Sequence, residues 1–380
     1  MQKTDHGFPL LPPHKSPTHE KAGRHNGYCN PLKKMLRWLS IVLLAITVLF
    51  CTTHCKSILY GLRQGAGQME ILWNAKPIED FLNDNNFPDS LKQKLLYIQE
   101  VRQYAIDSLG INNSKNYTTL YDQKGKEILW LVVATPPYKL EAYKWKFPIL
   151  GEFSYKGFFK EKSAQKEAQK LKEQGYDTKI GNVAAWSTLG FFKDPILSGM
   201  LNYNEGRLAS LIIHELTHST IFLKNDIQFN ENLATFVGEE GAKLFLAHKF
   251  GLNSKQYADY IGALNDTKIF TEHLLHGTKQ LDDLYLSFPE NLTTEEKNKQ
   301  KNELIQKIVN TTDTLTFYTP NAYSWIRNEE REINNAFFIG YKTYRDDLDV
   351  FRQEFHQKFN SNFHEYLKYL KQKYNTSITN

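Results

Sequence analysis

Leu208-Ala209-Ser210-Leu211-Ile212-Ile213-His214-Glu215-Leu216-Thr217-His218 is an apolar run that closes on H-E-x-x-H. On an α-helix, residues four apart share a face, with about 5.4 Å of rise between them. Two imidazoles at that spacing can reach one zinc ion through bonds of about 2.0–2.1 Å. Glu215 stands beside them, where it can take a proton from water that the ion activates. The competing reading is a helix with two solvated histidines and a solvated glutamate. Leu211, Ile212, Ile213 and Leu216 argue against it, because they make the helix at least half buried. Buried histidines and an unpaired carboxylate are costly without a partner, and a metal supplies one. The run therefore implies a zinc site with ligands His214 and His218 and general base Glu215, chemistry suited to hydrolysis.

A catalytic zinc takes three protein ligands and leaves one position open. Downstream, the segment starting at Asn230-Glu231 offers Glu231, Glu239 and Glu240. Ala234, Thr235 and Gly238 share a helical face with Glu231, and such small residues would let this second helix approach the first closely. Glu231 is the leading candidate for the third ligand. Glu239 and Glu240 follow, then His248 and Asp226.

The rest of the chain sets limits. Its 380 residues can bury one large core or two modest ones. A composition that is 41% hydrophobic and 13% aromatic is that of a globular protein. A net charge of +5 is too mild to argue for nucleic acid, so no nucleic-acid partner is expected. Cys29, Cys51 and Cys55 all lie near the start, so the bulk of the chain holds neither a disulfide nor a cysteine ligand.

Residues 1–34 are rich in Pro, His and Lys, lack periodicity, and are expected to form a disordered cytoplasmic tail. Trp38 to Cys51 carries no charge. With Leu36, Thr52 and Thr53 extending the run and Arg37 and Lys56 at its ends, residues 35–55 are expected to be a transmembrane signal anchor. Lys3, Lys15, Lys21, Arg24, Lys33, Lys34 and Arg37 precede it, against Asp5 and Glu20. That excess puts the tail inside and the 56–380 domain on the outer face. A cleaved signal peptide or a lipid anchor on Cys51 or Cys55 are the rivals. No A-x-A-like site follows the run, and bulky Phe50 and His54 precede the two cysteines.

Along the domain, helices are expected over Lys56–Met69, Ile78–Asn83 and Ser90–Leu109, with Gly110 as a stop. Tyr117–Tyr121 and Glu127–Ala134 flank Asp122-Gln123-Lys124-Gly125 and read as a β-hairpin. Tyr155–Phe159 and Thr178–Ser187 read as strands around a helix over Ser163–Gln174. From about 204 onward the chain is mostly helical, with helices covering 230–250, 255–285, 294–311 and 321–374. Strands come first and helices after, which is a mostly helical α+β plan. A small sheet packed beside the H-E-x-x-H helix would lay an edge strand along the cleft, where an extended peptide could add to it.

Several blocks carry a resemblance to a known family. His214-Glu215-Leu216-Thr217-His218 and Phe229-Asn230-Glu231-Asn232-Leu233-Ala234-Thr235-Phe236-Val237-Gly238 are similar to the bacterial predicted aminopeptidases, a membrane-attached family in the gluzincin class of zinc peptidases. Gly65-Ala66-Gly67-Gln68, Phe147-Pro148-Ile149-Leu150-Gly151 and Tyr155-Lys156-Gly157-Phe158-Phe159 agree with it. So do the stretch Ser187 to Pro195 and Asn334-Asn335-Ala336. The similarity spans about residues 55–350. It implies a zincin-like fold, Zn2+ held by His214, His218 and Glu231, Glu215 as general base, and a peptide or protein substrate. It also implies a bacterial inner-membrane protein with its catalytic domain in the periplasm, or alternatively a lipoprotein. Peptidases of this class often use a Tyr or His to stabilise the oxyanion, which makes Tyr341, Tyr344 and His248 candidates. Trp186 and Ser187 are candidates to line the cleft. The aminopeptidase activity rests on the resemblance alone. An endopeptidase fits the same residues, and a membrane-anchored binding protein with a structural zinc is the reading from another class.

Overall fold

The computed structural model describes residues 35–44, 55–147, 151–182, 193–224, 226–328, 331–342 and 348–374. The chain divides into two compact units, Met1–Cys55 and Lys56–Asn380. In the first, residues 35–44 form a helix, α1, whose side chains are all exposed, Trp38, Leu43 and Leu44 among them. The rest of the expected anchor, 45–54, lies outside the described residues, as does the 1–34 tail. Among the described residues, no helix is long and apolar enough to cross a membrane.

The second unit opens with α2 (Cys55–Asn74), a short strand β1 (Lys76–Pro77), α3 (Ile78–Leu82) and α4 (Asp89–Leu109). Gly110 ends α4 as the sequence indicated, in the left-handed region at φ 78°. The strands are β2 (Thr119–Tyr121), β3 (Trp130–Thr135), β4 (Trp145–Phe147), β5 (Gly151–Phe153) and β6 (Lys156–Phe158), followed after α5 (Glu161–Glu173) by β7 (Asp177–Asn182) and β8 (Ile196–Leu197). The remainder is helical: α6 (Glu205–His218), α7 (Ile227–Phe250), α8 (Lys255–Leu286), α9 (Thr294–Thr311), α10 (Asn335–Lys342), α11 (Leu348–Phe359) and α12 (Phe363–Lys373). The α+β plan, mostly helical with small sheets, is therefore what the chain adopts.

The expected 117–134 hairpin does not form. Its turn is real: Lys126 N–H donates to the Gln123 carbonyl at 3.0 Å, and Lys124 and Gly125 take positive φ. Its two strands nevertheless enter different sheets. β2 pairs with β1 and runs parallel to β8, while β3 pairs with β6 and β7. Gln123 decides the parting, because its N–H donates to Ser198 Oγ and its side-chain carbonyl accepts from Gly199 N–H. The turn is thus fastened to the 3-10 turn at Ser198–Asn202 instead of drawing β2 and β3 together.

Three cores result. The largest is built from α4, α6, α7, α11 and α12 with β2 and β8. A second joins α8, α9 and α10 with Leu140 and Ile326. A third packs β3 on α5 through Val132, Ala134, Ala164, Ala168 and Leu171. The β6-β3-β7 sheet, whose edge was expected beside the H-E-x-x-H helix, packs chiefly on α5 and α10, whereas the main neighbours of α6 are α7, α4 and α8. The expected continuation of β7, with Trp186 and Ser187, lies outside the described residues.

The stretch expected as helical over 321–374 is interrupted by a 3-10 turn at Ser324–Arg327 before α10. Asn334 and Asn335 explain how α10 is placed. Asn334 Nδ2 donates to the Thr178 carbonyl, Asn335 N–H donates to Asp177, and the Asn335 amide reaches Pro136, Pro137 and the Tyr285 hydroxyl. This pair staples the start of α10 to the end of the sheet.

Candidate metal centre

Asn204 caps α6 by accepting from Arg207 N–H at 2.9 Å. Glu205 favours the positive end of the helix dipole in the first turn and pairs with Lys94 at 2.8 Å. Leu208, Ala209, Ile212, Ile213 and Leu216 are all fully buried, so the apolar stripe seats α6 in the main core. That orientation turns His214 and His218 toward α7.

The link from α6 to α7 is held at both ends. Asp226 caps α7 by accepting from Phe229 N–H at 3.0 Å. Asn230, itself buried, grips Leu223 twice: its Nδ2 donates to the Leu223 carbonyl at 2.8 Å, and its Oδ1 accepts from Leu223 N–H at 2.7 Å. The next residue is Glu231. Further along, a Cβ added to Gly238 would stand 2.8 Å from the Ser210 carbonyl and 3.0 Å from His214 Cβ. Glycine here is what lets the two helices close up, as the small-residue face suggested.

His214, His218 and Glu231 are thereby brought into one cluster, with ligand atoms within 4.8 Å of one another. His214 Nε2 lies 3.5 Å from Glu231 Oε2, and His218 Nε2 lies 3.6 Å from Glu231 Oε1. Both gaps are long for a hydrogen bond. They match the edges of a tetrahedron whose bonds are about 2.1 Å, which is about 3.4 Å. His218 is almost wholly buried, and its Nδ1 has no hydrogen-bond partner. Two imidazoles and a carboxylate make a donor set of the kind that holds a catalytic zinc with one position open.

The electrostatics agree with a cation-binding role. Burial and the neighbouring His214 push His218 down to about 4, so it is neutral at pH 7 with its lone pair available. For His214, burial is outweighed by the Glu231 carboxylate beside it and by the charges of Glu215 and Glu239, and its pKa rises. For Glu231, burial is likewise outweighed by the two histidines, which hold it below the usual carboxylate range.

The other candidate ligands go elsewhere. Glu239 and Glu240 are buried against Arg352 of α11, Glu239 through a direct hydrogen bond and Glu240 at 3.5 Å, with Lys243 also on Glu240 at 2.6 Å. His248 is seventeen residues beyond Glu231, about 25 Å further along α7. It is exposed, with its ring against Tyr104. Asp226 is occupied as a helix cap.

The profile of the family described as "putative aminopeptidase" matches residues 59–377. The chain belongs to that family. No curated protein and no solved structure matched it.

Within the family match, Gly67 and the 155–159 block prove to be one packing unit. Phe159 rests so close to Gly67 that a Cβ there would stand 2.3 Å from the ring, and Tyr60 and Gln64 of α2 both donate to the Gly157 carbonyl. Tyr341 packs its ring against Phe270 and Phe337 in the second core, and Tyr344 lies outside the described residues. Two other tyrosines, not singled out from the sequence, stand near the cluster. Tyr155, just before β6, has its pKa raised by burial and by the charge of Glu231. Tyr117 is fully buried, and burial, with Glu215 and Asp194, keeps its phenol protonated. Tyr155 lay inside a block that was quoted for its strand pattern and its family resemblance, with no role assigned to its hydroxyl. Tyr117 carried no signal, since its approach to Glu215 depends on long-range packing.

Proposed function

We propose that this protein is a membrane-anchored, zinc-dependent peptidase of zincin type, acting as an aminopeptidase. The observation that carries the reading is the spacing of His214, His218 and Glu231 around a common centre with Glu215 on the same helix. A zinc ion held by those three side chains would supply Lewis acidity, polarising an acyl carbonyl and acidifying water.

The chain's own groups do the rest. Glu215, adjacent to His214, takes the proton from the attacking water and delivers it to the leaving amine. Its half-buried setting, close enough to His214 to raise that imidazole's pKa, suits a base that must hold a proton briefly. Tyr155 remains protonated at neutral pH and is the donor assigned to the developing oxyanion. The carboxylate of Glu231 would offset the charge of a bound cation, and the two imidazoles would hold it as neutral groups.

The anchor reading draws on α1. Its exposed side chains include Trp38 at 68%, Leu43 at 67% and Leu44 at 64%, an apolar surface that water does not favour and lipid does. The basic residues before it favour a periplasmic domain.

The preference for an aminopeptidase over an endopeptidase comes from the family description. The test is to incubate the purified protein, beside Glu215→Gln, with a peptide library and read the products by mass spectrometry. Stepwise loss of N-terminal residues is the expected result. Internal cuts would reassign it as an endopeptidase, and no cleavage by the zinc-loaded wild type would leave a binding protein.

A further inference from the structure

A cavity of about 700 Å³ lies between α5, β7 and the segment leading into α10. Three cations line it, and with Lys172 paired to Glu332 the two that remain are Lys179 of β7 and Arg331. Lys179 holds its ammonium 4.6 Å from the centre of the Phe337 ring, and Arg331 lies 5.0 Å over Trp325. Among the described residues, no carboxylate pairs with either. The one acid on the wall, Glu332, is taken by Lys172. Burial and the like charge of Arg331 depress the Lys179 pKa, so the two cations stand close enough to repel. A ring face offsets only part of the cost of a half-buried ammonium. Asn182 adds an amide to the wall, the Gln165 and Gln169 amides being donated to Glu161 and Glu173, and the cavity has the volume of a small-molecule site.

We propose that this cavity binds a small organic carboxylate, its anionic end between Lys179 and Arg331 and its apolar body against the rings of Trp325 and Phe337. An anion there relieves the repulsion of two cations and supplies a counter-charge that no described carboxylate gives them. The carboxylate of an aromatic amino acid or short peptide has the required shape. This site is independent of the metal centre and does not require the peptidase reading.

The test is calorimetric titration of the full chain with N-acetylphenylalanine and with its neutral amide. The expected result is one saturable site for the acid, with the amide weaker by about tenfold or more. Lys179→Met and Arg331→Gln should each weaken the acid by about tenfold with melting temperature retained. Gln169→Glu, which keeps both cations but adds a negative charge to the wall, should weaken it as well. His218→Ala should leave it unchanged. Absence of saturable binding, equal affinity for acid and amide, or affinity unaltered in the cavity variants would overturn the proposal.

Discussion

Asn230 holds Leu223 by both of its backbone groups, N–H and carbonyl, and this double grip sets where the next side chain, Glu231, begins. Asn230→Ala would leave both groups of Leu223 without that partner in a half-buried loop, at a cost of about 1–3 kcal/mol. The expected outcome is a lower melting temperature together with weaker zinc binding, because Glu231 loses its fixed register against the histidines. Equal zinc affinity in wild type and variant would separate the loop from the site.

Gly238 makes a sharper test of helix spacing. Alanine has the better intrinsic helix propensity, by about 1 kcal/mol. Its Cβ would nevertheless meet the Ser210 carbonyl, which is backbone and cannot swing away. Gly238→Ala should therefore destabilise by about 1–3 kcal/mol net. Gly340→Ala, in α10 with nothing near the added methyl, should be neutral or mildly stabilising. Chemical denaturation of the two variants reads the contrast.

Arg352 answers the buried pair Glu239 and Glu240. Arg352→Met leaves two carboxylates beside each other without their guanidinium, and the expected loss is about 3 kcal/mol at neutral pH. A variant as stable as wild type at pH 7 would contradict the pairing.

The metal-free protein should respond to acid through His218. Its folded pKa, about 4, lies below the ordinary histidine value of 6.5, so the unfolded chain binds the extra proton first. Stability contributed by keeping His218 neutral is whole above pH 6.5 and is lost as pH falls toward 4. His214 has the opposite sign: its pKa is raised, so its contribution is present below 6.5 and is lost as pH climbs through the folded value. Melting curves of chelated wild type and His218→Leu across pH 4–8 should show the acid limb flattened in the variant.

Tyr155 and Tyr341 can be told apart by what their hydroxyls do. Tyr155→Phe should retain zinc and KM but lower kcat by about 10²–10³-fold, the usual effect of removing an oxyanion donor. Tyr341→Phe keeps the ring that packs on Phe270 and Phe337 and should change stability little. Steady-state kinetics of both, with zinc content measured alongside, decide the assignment.

The centre was legible because its signal is local. His214 and His218 share one helix, the apolar stripe says which way that helix faces, and Glu231 with Gly238 repeats the same periodicity a short loop later. The strands were less legible because pairing is non-local. β2 and β3 look like hairpin partners from the turn between them, yet Gln123 and Ser198, 75 residues apart in sequence, send them to different sheets. The role of Glu239 and Glu240 depended on Arg352, more than a hundred residues away, and Tyr155 and Glu231, which feel each other's charge, are 76 residues apart in sequence. Asn334 and Asn335 stood out as a motif, but sequence could not say that they staple the sheet to α10 instead of meeting a substrate.

The central claim is that two imidazoles and one carboxylate from successive helices hold a single metal ion. Elemental analysis of the purified full chain, beside His218→Ala and Glu231→Ala, tests it most directly. The account predicts one zinc per wild-type chain and a large loss in both variants. A wild-type protein that retains no transition metal after zinc loading, or variants that retain it in full, would contradict it.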